Sequence, residues 1–285
     1  MYKVLSKKLL ADGIYWMDIE AKRAAKSAKP GQFLIVRLDE FGERIPLTVC
    51  DIDREHDSVA IVYQVMGDST TRMSQLEVGE ALHDLVCPLG RPSELMEMTD
   101  EELAKTNILF IAGGVGTAPV YPQVKYLKDR GFPADVIIGT KTKSTLILEE
   151  EMKAVAKDLY VCTDDGSYGF NGMVTAQFND LVENQGKHYD LVIAIGPMIM
   201  MKFAARETLK RGIKTIVSLN PIMVDGTGMC GACRITVGNE TKFACVDGPE
   251  FDASLINWDE AMRRTTMYKS QEGQKMLRHK AEGAV

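Results

Sequence analysis

The regular alternation of strand and helix patterns between residues 107 and 219 constrains the fold more than any other feature of this sequence. An apolar run from Asn107 to Ala112 is the first strand pattern, and each later strand pattern follows a helical one. Strands that are apolar throughout are typical of a parallel sheet covered by helices on both faces. We therefore predict a doubly wound parallel sheet. Its helices are expected near 120–130, 148–158, 174–183 and 198–211, and its later strands at 134–139, 160–163, 191–195 and 214–219.

The first 98 residues have a different pattern, in which short β-rich runs are separated by Gly and Pro turns. The clearest runs are Phe33–Arg37, Ala60–Gln64 and Leu82–Cys87. Short strands at this spacing, with little helical period between them, predict a small antiparallel β-barrel. The chain then divides into a barrel (1–98), an α/β domain (99–221), a cysteine-containing region (222–258) and a helical tail (259–285).

The composition excludes several classes of protein. The chain has 34 Lys and Arg residues against 40 Asp and Glu, so the broad basic field that nucleic-acid binding requires is absent. The longest near-continuous apolar run, Leu191–Met201, is well short of the ~20 residues that span a bilayer. No apolar block follows the N-terminal lysines, so we expect no signal peptide. We therefore expect a cytoplasmic protein that binds neither nucleic acid nor a membrane.

A glycine-rich segment, GGVGTAP at residues 113–119, connects the first parallel strand to the next helix. Ligands of such sheets bind beyond the carboxyl ends of the strands, where glycines and helix N-terminal N–H groups accommodate a pyrophosphate. The segment departs from the dinucleotide fingerprint GxGxxG, because Pro119 stands at its last position. A merely structural tight turn is the alternative interpretation.

An acidic pair, Asp164 and Asp165, ends the third parallel strand pattern. Carboxylates at this place would repel the 2′-phosphate of NADPH and would accept hydrogen bonds from ribose hydroxyl groups. The pair therefore favours NAD(H). Because Asp-Asp-Gly is also a common turn sequence, a solvated acidic turn is the alternative.

Two polar motifs in the barrel region offer groups that suit a phosphate. RIPLT at residues 44–48 contains Arg44, which could pair with a phosphate, and Thr48, whose hydroxyl could bond a ring nitrogen or carbonyl. GDST at residues 67–70 offers backbone and hydroxyl donors. A surface arginine, a strand threonine and a plain turn are the alternatives. The occurrence of both motifs before a nucleotide-binding pattern favours the phosphate interpretation.

Three of the six cysteines, Cys230, Cys233 and Cys245, lie within one short window that follows Asp225. Plant-type [2Fe–2S] proteins use the spacing C-x4-C-x2-C with a more distant fourth cysteine. Here the spacing is kept, with Asp225 in the first place. The pattern predicts a [2Fe–2S] cluster held by these four residues. A zinc site, unligated thiols, or a turn role for Asp225 with a partner's cysteine or water completing the site are the alternatives.

The sequence resembles the ferredoxin–NADP reductase superfamily, in the branch with a C-terminal [2Fe–2S] cluster. The resemblance rests on the order of its motifs along the chain: the two barrel motifs, GGVGTAP, IGP at 195–197 and the cysteine spacing. The resemblance covers nearly all of residues 1–258. It implies FAD in the barrel, NAD(H) on the sheet, hydride transfer between them, and single-electron transfer to or from the cluster, with no catalytic side chains. By motif match, Arg44, Pro46, Leu47, Thr48, Gly67, Ser69 and Thr70 are expected at the flavin, and Gly114, Gly116, Thr117, Asp164, Asp165, Gly196 and Pro197 at the nucleotide. Leu47 replaces the aromatic residue of the plant-type motif.

Two departures distinguish among the members of this branch. Asp225 stands in place of the first cysteine of the dihydroorotate dehydrogenase subunit, and 40 residues follow Cys245, where that subunit ends soon after its last cysteine. Both features resemble the small (alpha) subunit of the electron-bifurcating NADH-dependent reduced ferredoxin:NADP+ oxidoreductase. The alternatives are the electron-transfer subunit of dihydroorotate or sulfide dehydrogenase and, in another class, a non-catalytic redox sensor.

The preferred resemblance implies a hetero-oligomer with a larger subunit that carries another FAD and [4Fe–4S] clusters, and contact with ferredoxin through that complex. The tail from Asp259 onward has scattered apolar anchors, such as Met262 and Leu277, without a broad apolar stripe. We therefore expect this tail to dock on the partner rather than to close the core.

Overall fold

The computed structural model describes residues 1–267 and contains two large sheets, of which the first is antiparallel. Its strands are β1 (Tyr2–Ala11), β2 (Ile14–Glu20), β3 (Phe33–Arg37), β4 (Ile45–Asp53), β5 (Ser58–Gln64), β6 (Ala81–Leu82) and β7 (Asp84–Leu89). Two helices of this region are α1 (Lys22–Ser27) and α2 (Asp68–Gln75). The strand order β6-β1-β2-β5-β4-β3-β7 makes a nearly closed barrel, which confirms the prediction from the turn-punctuated strands.

The hairpin of β1 and β2 is the barrel element that the sequence pattern does not reveal. β1 is exposed or half-buried along most of its length and carries Lys3, Lys7 and Lys8, so apolar and polar residues do not alternate cleanly. β2 in contrast buries Met17 and Ile19 completely. The first strand is therefore fixed by backbone pairing with β2 and β6 more than by its own side chains.

The second sheet confirms the doubly wound arrangement predicted from the alternating pattern. Its strands up to residue 218 are β8 (Ile108–Gly113), β9 (Asp135–Thr140), β10 (Leu159–Thr163), β11 (Phe170–Asn171), β12 (Leu191–Ile195) and β13 (Lys214–Ser218). Its helices are α3 (Asp100–Lys105), α4 (Thr117–Asp129), α5 (Glu149–Val155), α6 (Val174–Asn179) and α7 (Met198–Leu209). Neighbouring strands are parallel, in the order β11-β10-β9-β8-β12-β13.

Two of the differences between the expected and the observed helix bounds have a clear structural cause, and α5 and α7 in addition end two or three residues earlier than expected. α4 begins at Thr117, somewhat before the helical pattern at Val120, because the glycine-rich segment forms a 3-10 turn that continues into the helix. α6 ends at Asn179 and passes into a π-helical turn, Asp180–Asn184, where the pattern predicts one continuous helix. Within residues 1–267, no helix is long and apolar enough to cross a bilayer.

The cysteine-containing region is built onto the second sheet. It contains β14 (Arg234–Val237), β15 (Glu240–Phe243), β16 (Glu250–Asp252) and α8 (Trp258–Arg264). β14 and β15 form a separate hairpin, whereas β16 pairs antiparallel with β13 as the seventh strand of the large sheet. α8 packs on this body through buried Ala261, so the first part of the predicted tail does help to close the core. Residues 268–285 of that tail lie outside the described residues.

A small apolar cluster joins the barrel to the second sheet. Cys50 and Val62 of the barrel pack with Ala118, at the start of α4, and with Ile147 and Leu148 before α5. An ion pair between Lys125 Nζ and the Asp51 carboxylate, 2.8 Å apart, crosses the same boundary. Because these contacts fix the start of α4 against β4 and β5, the barrel wall faces the carboxyl ends of the parallel strands.

Candidate functional site

The carboxyl ends of β8 and β12 meet where the strand order of the second sheet reverses. Open α/β sheets bind ligands at this position. A Cβ added to Gly116 would overlap the carbonyl oxygen of Ile195 and lie 2.8 Å from Gly196 Cα. Position 116 therefore requires a glycine, because the backbone after β8 lies in contact with the end of β12. We call Gly113–Thr117 together with Gly196 and Pro197 the switch point.

Two further residues of the switch point have distinct roles. Gly114 has a φ of +54° and open space around its missing Cβ, so its backbone turns toward the cleft in a conformation that favours glycine. Thr117 is fully buried, and its hydroxyl donates to the Gly114 carbonyl oxygen at 2.8 Å. Thr117 thus fixes the loop from within, while the N-terminal N–H groups of α4 lie beside the space that an anion would occupy.

A cavity of about 1420 Å³ lies between the barrel and the switch point. Single drug-sized ligands occupy cavities of roughly 300–1,000 Å³, so this one has room for more than one cofactor. The predicted residues that line it are Pro46, Leu47, Thr48, Gly114, Gly116, Asp164, Gly196 and Pro197. The structure thus brings one barrel motif and the glycine-rich motif to a common cleft.

The second barrel motif does not line this cavity. Gly67 caps α2, and the Thr70 hydroxyl oxygen accepts hydrogen bonds from the backbone N–H groups of Met66 and Gly67, at 2.9 and 3.2 Å. The Ser69 hydroxyl donates to a Glu43 carboxylate oxygen at 2.6 Å. These hydroxyl groups are engaged within the barrel, so their contact with a phosphate stays a prediction.

The Arg44 side chain donates its hydrogen bonds to backbone carbonyls of a distant segment. Its Nε donates to the carbonyl oxygen of Val224 at 2.9 Å, and its Nη2 donates to that of Asp225 at 3.1 Å. The first residue of the barrel motif therefore contacts the segment that contains the cysteines. We call that segment, residues 224–233, the cysteine loop.

The acidic pair after β10 divides into two roles. Both residues are exposed, but Asp164 lines the cleft, whereas Asp165 does not and accepts a hydrogen bond from the Ser167 N–H at 3.0 Å. The hydroxyl and the N–H of Ser167 lower the pKa of the Asp165 carboxyl. Lys141, which follows the neighbouring strand β9, lines the same wall as Asp164. Asp164 is thus the member of the pair that lines the cleft, and its contact with a nucleotide stays a prediction.

Part of the cavity wall was not predicted from the sequence. The missed lining residues include Thr140, Lys141 and Thr145 after β9, and Met200, Phe203 and Arg206 on α7. The first group could have been found by the rule that singled out Asp164, since it also follows the carboxyl end of a parallel strand. The sequence indicates the second group more weakly. Its signal is an exposed aromatic residue, Phe203, and a basic residue, Arg206, on the helix that begins just after Pro197.

The two thiols of the cysteine loop and that of Cys245, which follows the loop, lie in different surroundings. Cys233 and Cys245 are buried, and the Cys245 N–H donates to Cys233 Sγ at 3.4 Å, whereas Cys230 is exposed. The backbone N–H groups of Ala232 and Asp225 lower the pKa of the Cys230 thiol. Burial, and next the hydrogen bond with Cys233, raise the pKa of the Cys245 thiol to about 12.

Asp225 organises the start of this loop. One of its carboxylate oxygens accepts hydrogen bonds from the Thr227 hydroxyl and from the N–H groups of Thr227 and Met229, the latter two at 2.8 and 3.3 Å. These bonds, the Thr227 hydroxyl first, lower the pKa of Asp225, so its carboxylate is ionised at neutral pH. This is also the geometry of a turn residue.

The donors of the loop together with Cys245 fit an iron–sulfur cluster in kind: three thiols, one carboxylate, and a backbone N–H that donates to a sulfur. Glycines at 226, 228 and 231 have positive φ, which lets the loop curve around such a group. Among residues 1–267, no three His, Cys, Asp or Glu side chains are arranged to hold a metal ion. The ligand set Asp225, Cys230, Cys233 and Cys245 therefore stays a prediction.

Two family profiles match this chain. Residues 110–206 match the oxidoreductase NAD-binding domain, which includes the switch point and Asp164. Residues 220–257 match the iron–sulfur cluster binding domain of dihydroorotate dehydrogenase B, which includes the cysteine loop and Cys245. The chain thus contains an NAD-binding oxidoreductase domain followed by an iron–sulfur binding domain.

Known proteins are similar to nearly the whole chain. A Clostridium beijerinckii protein, named only as an uncharacterized protein in the adh 3′ region, is 58% identical over 97% of this chain and 94% of its own length. The electron transfer subunit homolog of dihydroorotate dehydrogenase B (NAD+) from Thermotoga maritima is 42% identical over 95% of this chain and 92% of its own. The solved structure of an NADH-dependent reduced ferredoxin-NADP oxidoreductase contains a chain that is 41% identical, with a TM-score of 0.89 and coverage of 98% and 97%. This chain therefore belongs to the family of flavin and iron–sulfur electron transfer subunits that includes those of dihydroorotate dehydrogenase B and of this oxidoreductase.

Proposed function

We propose that this chain is the NAD(H)-reactive small subunit of an electron-bifurcating NADH, ferredoxin and NADP+ oxidoreductase. The observation that carries the proposal is the single cleft that has the barrel motif on one wall and the switch point on the other, and that reaches the cysteine region at Met223 and Pro249. FAD, NAD(H) and a [2Fe–2S] cluster supply hydride and single-electron transfer when bound. The chain's own residues position these groups and exclude water.

On the nucleotide side, Gly114 and the N-terminus of α4 offer backbone N–H groups to a pyrophosphate. Gly116 allows the ends of β8 and β12 to lie in contact, so that they form one continuous surface beneath the nucleotide. Asp164 accepts hydrogen bonds from ribose hydroxyl groups and repels a 2′-phosphate. Gly196 and Pro197 line the opposite strand end. These features favour NADH over NADPH.

On the barrel side, Pro46, Leu47 and Thr48 form the wall that faces the switch point. Thr48 offers a hydroxyl to a ring nitrogen or carbonyl, and Leu47 offers an apolar surface to a flat ring. Phe33 and Val62 extend this apolar wall. A flavin seated here would be shielded from water on the face that meets the nicotinamide.

On the cysteine side, Asp225, Cys230, Cys233 and Cys245 are the residues that we propose hold the cluster. Two of the thiols are buried, and the loop lies against the barrel through Arg44. The position of the loop beside the cleft supports single-electron exchange with the flavin site. The relatives that are named as electron transfer subunits support the same assignment.

The partner that we propose is a larger subunit with its own FAD and [4Fe–4S] clusters, through which the chain communicates with ferredoxin. The named relatives are electron transfer subunits of larger enzymes, which supports a hetero-oligomer. The six cysteines are all free, which suits a reducing cytoplasm. An electron-transfer subunit of a dihydroorotate dehydrogenase is the second candidate, favoured by the match of residues 220–257.

Anaerobic stopped-flow mixing of the full chain with NADH tests the reaction. We expect bleaching of the flavin absorbance followed by the EPR signal of a reduced [2Fe–2S] cluster, and slower reduction by NADPH. A pure binding module would show no bleaching. Purification of the native complex then separates the two candidates, since only the proposed partner contains [4Fe–4S] clusters and oxidises NADPH rather than dihydroorotate.

A further inference from the structure

Three arginine side chains from three separate elements donate hydrogen bonds to carbonyl oxygens of the cysteine loop. Arg44, just before β4, bonds Val224 and Asp225 through Nε and Nη2. Arg234, at the start of β14, donates from Nη1 to the Gly231 carbonyl oxygen at 3.1 Å. Arg264, at the end of α8, donates from Nη2 to the Ala232 carbonyl oxygen at 2.7 Å. Guanidinium groups thus hold both ends of the loop.

These bonds determine which way the loop peptides face. A peptide is planar and trans, so its carbonyl oxygen and its N–H point in opposite directions. The peptide whose carbonyl belongs to Val224 carries the N–H of Asp225, and the peptide whose carbonyl belongs to Gly231 carries the N–H of Ala232. Arg44 holds the first carbonyl and Arg234 holds the second. Both N–H groups consequently point away from the arginine that holds their carbonyl.

The N–H groups of Asp225 and Ala232 are also the groups that most lower the pKa of the Cys230 thiol, so the oriented peptides favour negative charge on its sulfur. Each peptide plane therefore links a guanidinium, bonded at the carbonyl, to an N–H group that favours charge on this sulfur. Hydrogen bonds to the ligating sulfurs are among the factors that set the potential of an iron–sulfur cluster, because they stabilise the added negative charge of the reduced state. The loop itself has no strand between β13 and β14 to hold these peptides in place.

We propose that Arg44 and Arg234 are positioning residues for the cluster, each fixing a peptide plane whose N–H is directed at the Cys230 sulfur and thereby raising the cluster's reduction potential. Arg264 holds the adjoining Ala232 carbonyl and supports the same end of the loop. The inference rests on the proposed cluster and goes beyond its ligands to the residues that tune it. It also gives Arg44 a role that differs from a flavin phosphate ligand.

The test uses the full chain purified anaerobically with its FAD and cluster, and reduced with dithionite so that it does not depend on NADH. The variants are Arg44→Gln, Arg234→Gln, and the charge-retaining Arg44→Lys and Arg234→Lys. Arg54→Gln is the matched control, because Arg54 also donates to a backbone carbonyl, that of Ala28 at 3.3 Å, but within the barrel. The readouts are iron content, FAD content, reduction potential, EPR g-values and the electron–nuclear double resonance of exchangeable protons near the reduced cluster.

We expect both glutamine variants to lower the potential and to weaken one exchangeable-proton coupling each, and both lysine variants to recover only part of the potential. Arg54→Gln should match the wild type. The proposal is overturned if the couplings and g-values of the glutamine variants equal those of the wild type. It is also overturned if lysine restores the full potential, since the arginines would then act only as charges.

Two outcomes separate this proposal from neighbouring ones. If Arg44→Gln loses FAD while its cluster signals stay unchanged, Arg44 is a flavin phosphate ligand and its positioning role is overturned. If the wild type holds a cluster that dithionite reduces but NADH does not, the proposed function fails while the arginine test still stands. A wild-type chain that binds no cluster would overturn both.

Discussion

The switch point and the cysteine loop, the two ends of the proposed electron path, are held in place by different means. β8 and β12 are buried at every residue, and their ladder brings Gly116 against the Ile195 carbonyl with no side chain between them. The cysteine loop has no ladder, and its carbonyls and N–H groups are held by arginines and by Asp225. The switch point, which is formed by backbone atoms in close contact, should therefore be disrupted by an added methyl group. The cysteine loop, which is held by side-chain hydrogen bonds, should be disrupted by the loss of a polar group.

The largest effect is expected at the loop, from Asp225→Ala. This change removes three hydrogen bonds that organise the loop and, in our proposal, one cluster ligand. We expect the iron content to fall below about a tenth of the wild-type value. Asp225→Cys should retain the cluster with altered EPR g-values. Asp259→Ala, at an exposed ion pair with Lys202, is the control. Full iron and an unchanged EPR spectrum in Asp225→Ala would show that this residue is not a ligand.

The next effect is expected at the switch point, from Gly116→Ala. The new Cβ would overlap the Ile195 carbonyl oxygen and force the ends of β8 and β12 apart. We expect flavin reduction by NADH to slow roughly 1,000-fold, about 4 kcal/mol, because misplacement of the order of 1 Å is costly for a bound reactant. Iron content should stay the same.

The control for this variant is Gly186→Ala, which is also strained, with φ of +66°, but has open space around it and does not line the cleft. It should lose a little stability and keep the wild-type rate. A Gly116→Ala rate within about twofold of the wild type would refute the claim that close backbone contact at this position determines the geometry of the site.

A third prediction concerns Glu250 on β16, the strand that ties the cysteine region to the nucleotide sheet. One of its carboxyl oxygens accepts from Gln123 Nε2 at 2.7 Å, and the other is buried without a partner. Burial raises the pKa of Glu250 from its ordinary value of 4.5 to about 7. The folded chain therefore binds this proton more tightly than the unfolded chain does.

The contribution of Glu250 to stability is accordingly full below about pH 4.5, falls as the pH rises to about 7, and is constant above. The total change should be about 3 kcal/mol of unfolding free energy. Glu250→Gln should remove this slope, whereas Glu101→Gln, on the exposed start of α3, should keep it. Denaturant titrations at several pH values measure the difference. Parallel curves for wild type and Glu250→Gln would contradict the prediction.

The smallest effect is expected in nucleotide discrimination. Asp164 lines the cleft and Asp165 is turned to Ser167, so Asp164→Ser should account for most of an expected loss of about 1–3 kcal/mol in the preference for NADH over NADPH. Asp165→Ser is the matched control and should change the ratio of the two kcat/KM values little. A larger effect at Asp165, or equal wild-type rates with both nucleotides, would contradict this assignment.

Much of the α/β domain could be predicted because its signals are local. The strand Leu191–Ile195 was predicted with its observed bounds, since five consecutive apolar residues between Asp190 and the Gly196-Pro197 turn mark a strand buried on both faces. The hairpin of β1 and β2 was missed because a largely exposed strand with scattered lysines has no clear period. Its pairing partners, which a local pattern does not contain, decide its conformation.

The sequence by itself determined the kinds of group that this protein brings to its chemistry: a glycine-rich turn after a buried strand, an acidic end to β10, and Asp225 spaced from three cysteines as in a plant-type cluster. These are statements about neighbours in the chain, and local spacing is enough to make them. Only the tertiary structure decided that Asp164 and not Asp165 faces the cleft, and that Arg44 bonds a carbonyl 180 residues later in the chain. A guanidinium donates to whichever acceptor the packed barrel, sheet and loop bring within about 3 Å, and that choice depends on contacts between elements that no local pattern records.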